Sequence, residues 1–130
     1  MRWLLAIVLL LSAPAAQAAC EGTGGTEQLS IELLFGRSMA GGVIAEAAWQ
    51  EFLADTVTPR FPDGLTVLDG YGQWRNSAGR ITHEPSTVVW IIAPQATDPL
   101  PRIEAIRAVY RERFHQDSVG LVVSSVCAAF

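Results

Sequence analysis

The chain has 130 residues, half of them apolar, and a formal net charge of −4 at neutral pH. That length provides for one compact core and leaves little for a second. All nine basic residues are arginines, and so acidic a balance argues against a nucleic-acid partner, whose phosphates need a basic patch that releases counterions.

The opening residues read as an export signal. Arg2 supplies a positive start, and an apolar run follows from Trp3 to Leu11, well short of the about 20 residues a bilayer span requires. Ala16-Gln17-Ala18 then fits the small-x-small pattern of signal-peptide cleavage. Removing residues 1–18 leaves a leader at 19–28 and a single α+β domain at 29–130, placed in the periplasm or secreted. The alternative is cleavage directly before Cys20, with that thiol lipidated as a membrane anchor.

Order is expected from Leu29, where Leu29, Ile31, Leu33 and Phe35 alternate with Ser30, Glu32 and Leu34 in the period of a strand. Gly36 to Gly42 turns the chain. From Val43 the period changes, because Ala45, Ala48, Trp49, Phe52, Leu53, Thr56 and Val57 form one helical stripe. Pro59 is expected to end this helix by forcing Thr58 out of the helical region.

Leu65–Arg75 and Ile81–Ile92 are rich in β-branched and aromatic residues, and Asn76-Ser77-Ala78-Gly79 between them predicts a hairpin with a four-residue loop. Ala93 to Pro101 is a proline-containing linker. Ile103, Ile106, Val109, Tyr110 and Phe114 mark a second helix, and a last strand runs from Val119 to about Val126.

The order is βαββαβ. Right-handed crossovers place both helices on one face of a four-stranded antiparallel sheet in spatial order 4-1-3-2, the ferredoxin-like plait. In that topology the first strand starts beside the end of the last, so Cys20 and Cys127 approach each other. An oxidising compartment lets such a pair close, and closing nearly the whole chain into one loop contributes at most about 4–5 kcal/mol on chain-entropy grounds. A lipidated Cys20 beside a core Cys127, or two unpaired thiols, are the alternatives.

The run TPRFPDGLTVLDGYGQW, with HEPS at His83 and YRERFHQDSV at Tyr110, resembles a family of exported bacterial proteins labelled as a domain of unknown function, number 3574. The resemblance covers roughly residues 30–130. It implies no reaction and carries over no catalytic residues.

Chemistry must therefore be read from individual side chains. Pairing the hairpin about a four-residue loop sets Trp74 opposite Ile81, Gln73 opposite Thr82, Tyr71 opposite Glu84 and Asp69 opposite Ser86. Alternation then gathers Asp69, Tyr71, Gln73, Thr82, Glu84 and Ser86 on one face, with Glu32 of the first strand pointing the same way. Carboxylates beside a tyrosine hydroxyl suit a small polar ligand or acid–base work; the same pattern also describes the watered side of an antiparallel sheet.

Arg60 lies in a stiff motif, Pro59 to Gly64, that would either hold an anionic ligand or fix the connection into the next strand. Gly70 and Gly72 leave a bare patch, read as helix-facing. Neither His83 nor His115 has a partner at metal-ligand spacing, so no metal or cofactor is implied. G-x-S-x-G, P-loop and C-x-x-C motifs are missing.

Two readings of function remain. One is a non-enzymatic envelope module that binds a small molecule or another protein. The other is a small cofactor-free enzyme, oxygenase- or isomerase-like, in which two plaits pack sheet to sheet as a homodimeric α/β barrel. In it Glu32 or Glu84 serves as base, and Tyr71 or Arg60 stabilises developing charge.

Overall fold

A computed structural model describes residues 20–130; the export signal, read on residues 1–18, lies outside them. The chain runs through β1 (Thr26–Gly36), a small ribbon of β2 (Ser38–Met39) and β3 (Gly42–Val43), α1 (Glu46–Phe52), β4 (Thr66–Arg75), β5 (Ile81–Ala93), α2 (Leu100–Phe114) and β6 (Gly120–Ala128). The four long strands form one antiparallel sheet in the order β4-β5-β1-β6. This is the βαββαβ plait, with the helices packed on one face. Among the described residues no helix is long and apolar enough to cross a membrane.

Alternation along β1 decides where the core sits. Ile31, Leu33 and Phe35 are fully buried against Trp49 and Phe52 of α1 and Ile103, Ile106 and Tyr110 of α2. The Phe35 ring meets Trp49, Phe52 and Tyr110 at centroid distances of 5.2, 5.7 and 4.7 Å, all edge-on, as ring quadrupoles prefer. Each such burial contributes about 1.5–3 kcal/mol.

Cys20 and Cys127 form a disulfide, with Cα atoms 5.4 Å apart. The Cys20 sulfur is thereby taken up and cannot carry a lipid. β1 also starts at Thr26, before the expected Leu29, because β6 continues to Ala128 and pairs with Thr26–Gln28. The segment ahead of it is a hydrogen-bonded turn, in which the Thr23 hydroxyl donates to the Cys20 carbonyl at 2.7 Å.

The first helix differs from expectation at both ends. Val43 belongs to the β2–β3 ribbon, where Gly41 and Gly42 adopt φ of +89° and +151° that helix residues cannot follow. At the other end Thr58 is helical, with φ −55° and ψ −44°. The helix widens into a π turn over Leu53–Val57 before a 3₁₀ turn over Thr58–Arg60. The wider turn shifts the carbonyls that the Pro59 ring would otherwise strike, so the chain carries proline for one more turn.

The hairpin register is one residue away from that expected. Arg75 faces Ile81, Gln73 faces His83, Tyr71 faces Pro85 and Asp69 faces Thr87. The cause is the loop: Asn76 N–H donates to the Arg80 carbonyl, and Gly79 sits at φ +76°. A type I turn followed by a left-handed glycine adds one residue to a simple four-residue reversal. Asn76 Oδ1 holds it by accepting from the Ala78 and Arg80 amides, both at 3.0 Å.

That slip sends alternate side chains to the opposite face. Asp69, Tyr71 and Gln73 share the helix side with His83 and Thr87, whereas Thr82, Glu84 and Ser86 share the free side with Glu32, Gly70, Gly72 and Trp74. The single polar face expected from a four-residue loop is therefore divided. The free face is instead largely apolar, with Leu34, Leu68, Trp90 and Val122 exposed among its few polar groups.

Candidate ligand-binding cleft

Cross-strand rows on the free face show how its cleft arises. Leu68, Val88 and Leu34 stand side by side across β4, β5 and β1, giving an apolar row. The next row is Gly70, Ser86 and Gly36, and beyond it Gly72 faces Glu84. The three glycines lower the sheet surface there, and the Glu84 and Ser86 side chains settle into the space they leave. Trp74, one further position along β4, rises at the far side.

The result is a cleft of about 540 Å³ over the ends of β1 and β4 and the starts of β5 and β6. Gly36, Gly72 and Gly120 border it, with Glu84, Ser86 and Trp74, and the turn at 115–118 completes the wall. Gln116 ties that turn to the β2 ribbon by donating from Nε2 to the Ser38 carbonyl at 2.8 Å.

Glu84 is only 7% exposed. The Ser38 amide donates to its Oε2 at 3.0 Å, and none of the ion pairs among the described residues includes it. Gly36 provides its space, since a Cβ there would collide with Glu84 Oε1. From below, Tyr110 donates its hydroxyl to the Gly36 carbonyl at 2.7 Å. Burial raises the Tyr110 pKa above its ordinary value, Arg37 opposes that shift and Glu84 adds to it, so the hydroxyl stays a donor.

A smaller recess of about 420 Å³ lies where β1 leaves the sheet, bordered by Arg37, Asp69, Ser86 and Thr87. Arg37 is almost fully buried. Its guanidinium donates to Thr87 Oγ1 and the Ile44 carbonyl, both at 3.1 Å, and pairs with Glu46 at 3.2 Å. Thr87 passes its own hydroxyl on to Asp69 at 3.3 Å.

Of the other expected site residues only Gln73 reaches the cleft. Glu32 lies on the same face but beside Trp90 and Val122 in the register, away from the glycine rows. Tyr71 is 75% exposed on the opposite face, its ring stacked 5.9 Å from that of His83. Gln73 borders the cleft rim, and Asp69 belongs to the smaller recess.

Arg60 is far from this chemistry in role, since its NH1 donates to the Thr56 carbonyl at 2.7 Å and its own carbonyl accepts from Arg102. Gly70 and Gly72 bare the free face, and not the helix-facing one. Among the described residues no group of three or more His, Cys, Asp or Glu converges to hold a metal ion.

Sequence reasoning missed Gly36, Trp74 as a cleft wall, and the 115–118 turn. Only Gly36 carried a signal: a glycine directly after an alternating strand marks a close approach. The others depend on which strand ends meet.

The chain belongs to the family described as "Protein of unknown function (DUF3574)", whose model matches residues 30–130. No curated protein matches it. Among solved structures it is similar to a phage SAM lyase in complex with S-methyl-5′-thioadenosine, at 18% identity over 78% of this chain and 90% of that one, with a TM-score of 0.59. A phage SAM lyase in its apo state matches at 18% identity over 80% and 92%, with a TM-score of 0.57. At this identity the likeness is one of fold.

Proposed function

From membership in a family without an assigned reaction, we propose that this domain binds a small organic ligand in the Glu84 cleft, as an exported module of the cell envelope. One observation carries the reading: a nearly buried carboxylate, lodged in the space that Gly36 leaves, borders a cleft that Gly72 and Gly120 keep open. Enclosure beside a few convergent polar groups is the usual mark of a ligand site. The disulfide supports an oxidising destination.

The test is a thermal-shift screen of the purified protein against a metabolite library, run beside Gly36→Ala. A ligand that raises the melting temperature of the wild type but not of the variant supports the cleft. Equal shifts in the two proteins place the ligand elsewhere, and a library without a hit refutes the reading.

A second reading is a small enzyme acting on what the cleft holds, and the likeness to SAM lyase structures favours it. Glu84 is then the proton acceptor. Glu32 is not beside it, and Tyr71 and Arg60 stand on other surfaces, so a two-plait barrel would need its charge-stabilising group from the second copy. Mass spectrometry after incubation with SAM checks this: S-methyl-5′-thioadenosine formed by wild type and not by Glu84→Gln supports it, and no product from wild type retires SAM as the substrate.

A further inference from the structure

The charges around the cleft select among ligands. Glu84 and Asp117 both border it, with His115 beside them, and among the described residues no arginine does; the chain has no lysine. Arg37, which follows Gly36 directly, directs NH1 and NH2 to Thr87, the Ile44 carbonyl and Glu46 and forms no ion pair with Glu84, although its buried Nε has no hydrogen-bond partner among the described residues. Every ion pair among the described residues lies on the helix side or in the ribbon leading to it. Glu84 is therefore a mostly buried carboxylate with a backbone amide as partner and, among the described residues, no ion-paired cation.

Burying a carboxylate is costly unless something pairs with it. Among the described residues no group donates to the Oε1 atom, and the carboxylate borders the cleft. Trp74, 43% exposed, supplies an indole to the same space, and an aromatic face attracts a cation. Gly72, which faces Glu84 across the strands, leaves the sheet low between that carboxylate and Trp74. A flat aromatic ring has room there against the indole.

We infer that the ligand is an organic cation, a sulfonium or ammonium, joined to a flat aromatic ring system, with its positive centre against Glu84 and its ring over Gly72 against Trp74. This rests on the reading of the cleft as a ligand site and names the class of molecule it takes. Asp117 adds to the attraction from the rim.

Calorimetry on the purified full chain tests it with two matched pairs. SAM is compared with S-adenosylhomocysteine, its uncharged thioether counterpart, and tryptamine with 3-ethylindole. At least one cation is expected to bind at least about tenfold more tightly than its neutral partner. Glu84→Gln, which keeps an acceptor for the Ser38 amide, should abolish that difference, and Asp117→Asn should reduce it by a smaller factor.

Trp74→Ala should weaken the cation and the neutral partner together. Equal affinities within both pairs, or a preference that survives Glu84→Gln and Asp117→Asn, overturn the inference while leaving the cleft a ligand site. Binding of neither cation also overturns it. The Gly36→Ala library screen then decides separately whether the cleft binds anything.

Discussion

On the helix side of the sheet, Ile31, Leu33 and Phe35 are sealed beneath two helices, whereas on the free side their neighbours Glu32 and Leu34 stay partly or fully open. The same strand therefore meets two sets of demands. Close packing fixes residue size on the first face. On the second, where no described element forms a covering layer, the sheet tolerates three glycines in adjacent rows, a carboxylate without an ion pair among the described residues and five exposed large apolar side chains. A stabilising core thus leaves the opposite surface free to carry binding chemistry.

The largest effect expected from this contrast comes from truncating matched positions on the two faces. Phe35→Ala removes the ring at the centre of the aromatic cluster and should cost about 3–5 kcal/mol. Leu68→Ser, on the free face, should change stability by less than about 0.5 kcal/mol. Urea unfolding at several protein concentrations reads both. A loss at Leu68 that rivals Phe35, and that depends on concentration, would mean a second copy covers the free face.

How much of this was legible in the sequence depended on the kind of signal. Alternation in β1 and the helical stripes through Trp49, Phe52 and Tyr110 are repeated signals, and each repetition corrects the others, so the plait and its strand order could be read. The Cys20–Cys127 pairing followed from that topology. The site was less legible because it hangs on one residue: Gly79 lengthens the turn, and that alone moves Asp69, Tyr71 and Gln73 to the opposite face from Glu84. Local composition admits both registers, and only the turn conformation separates them. The smaller recess around Arg37 had no signal, because it joins residues 37, 69 and 87 through tertiary structure.

A middle-sized effect is expected where the two faces are joined. Tyr110 reaches from the packed side to the Gly36 carbonyl beneath the cleft, and Tyr110→Phe keeps the ring while removing that donor. Leaving the acceptor unsatisfied should cost about 1–3 kcal/mol, less than emptying the Phe35 site. Chemical denaturation gives the value. A neutral result would show that water reaches the Gly36 carbonyl and that the cleft extends deeper than its present floor.

The smallest effect separates the faces by pH. Asp55, in the π turn, accepts from Arg113 NH1 at 3.1 and 3.0 Å. Its pKa is lowered from the ordinary 3.8 first by the hydrogen bond from Thr56, then by those from Arg113. Glu46 is lowered in the same way by Gln50 and Arg37. A carboxylate with a depressed folded pKa contributes stability that is fully present above its unfolded pKa and is lost as pH falls through the folded value. The melting-temperature difference between wild type and Asp55→Asn should therefore hold steady from pH 7 to about 5 and shrink as pH drops below about 4. Because Asp55 is solvent-exposed, the difference should be small and weaken further in high salt. If it stays constant down to pH 2, the Arg113 contact is packing and not charge, and the contrast between an ion-paired helix layer and a cation-free sheet face loses its electrostatic basis.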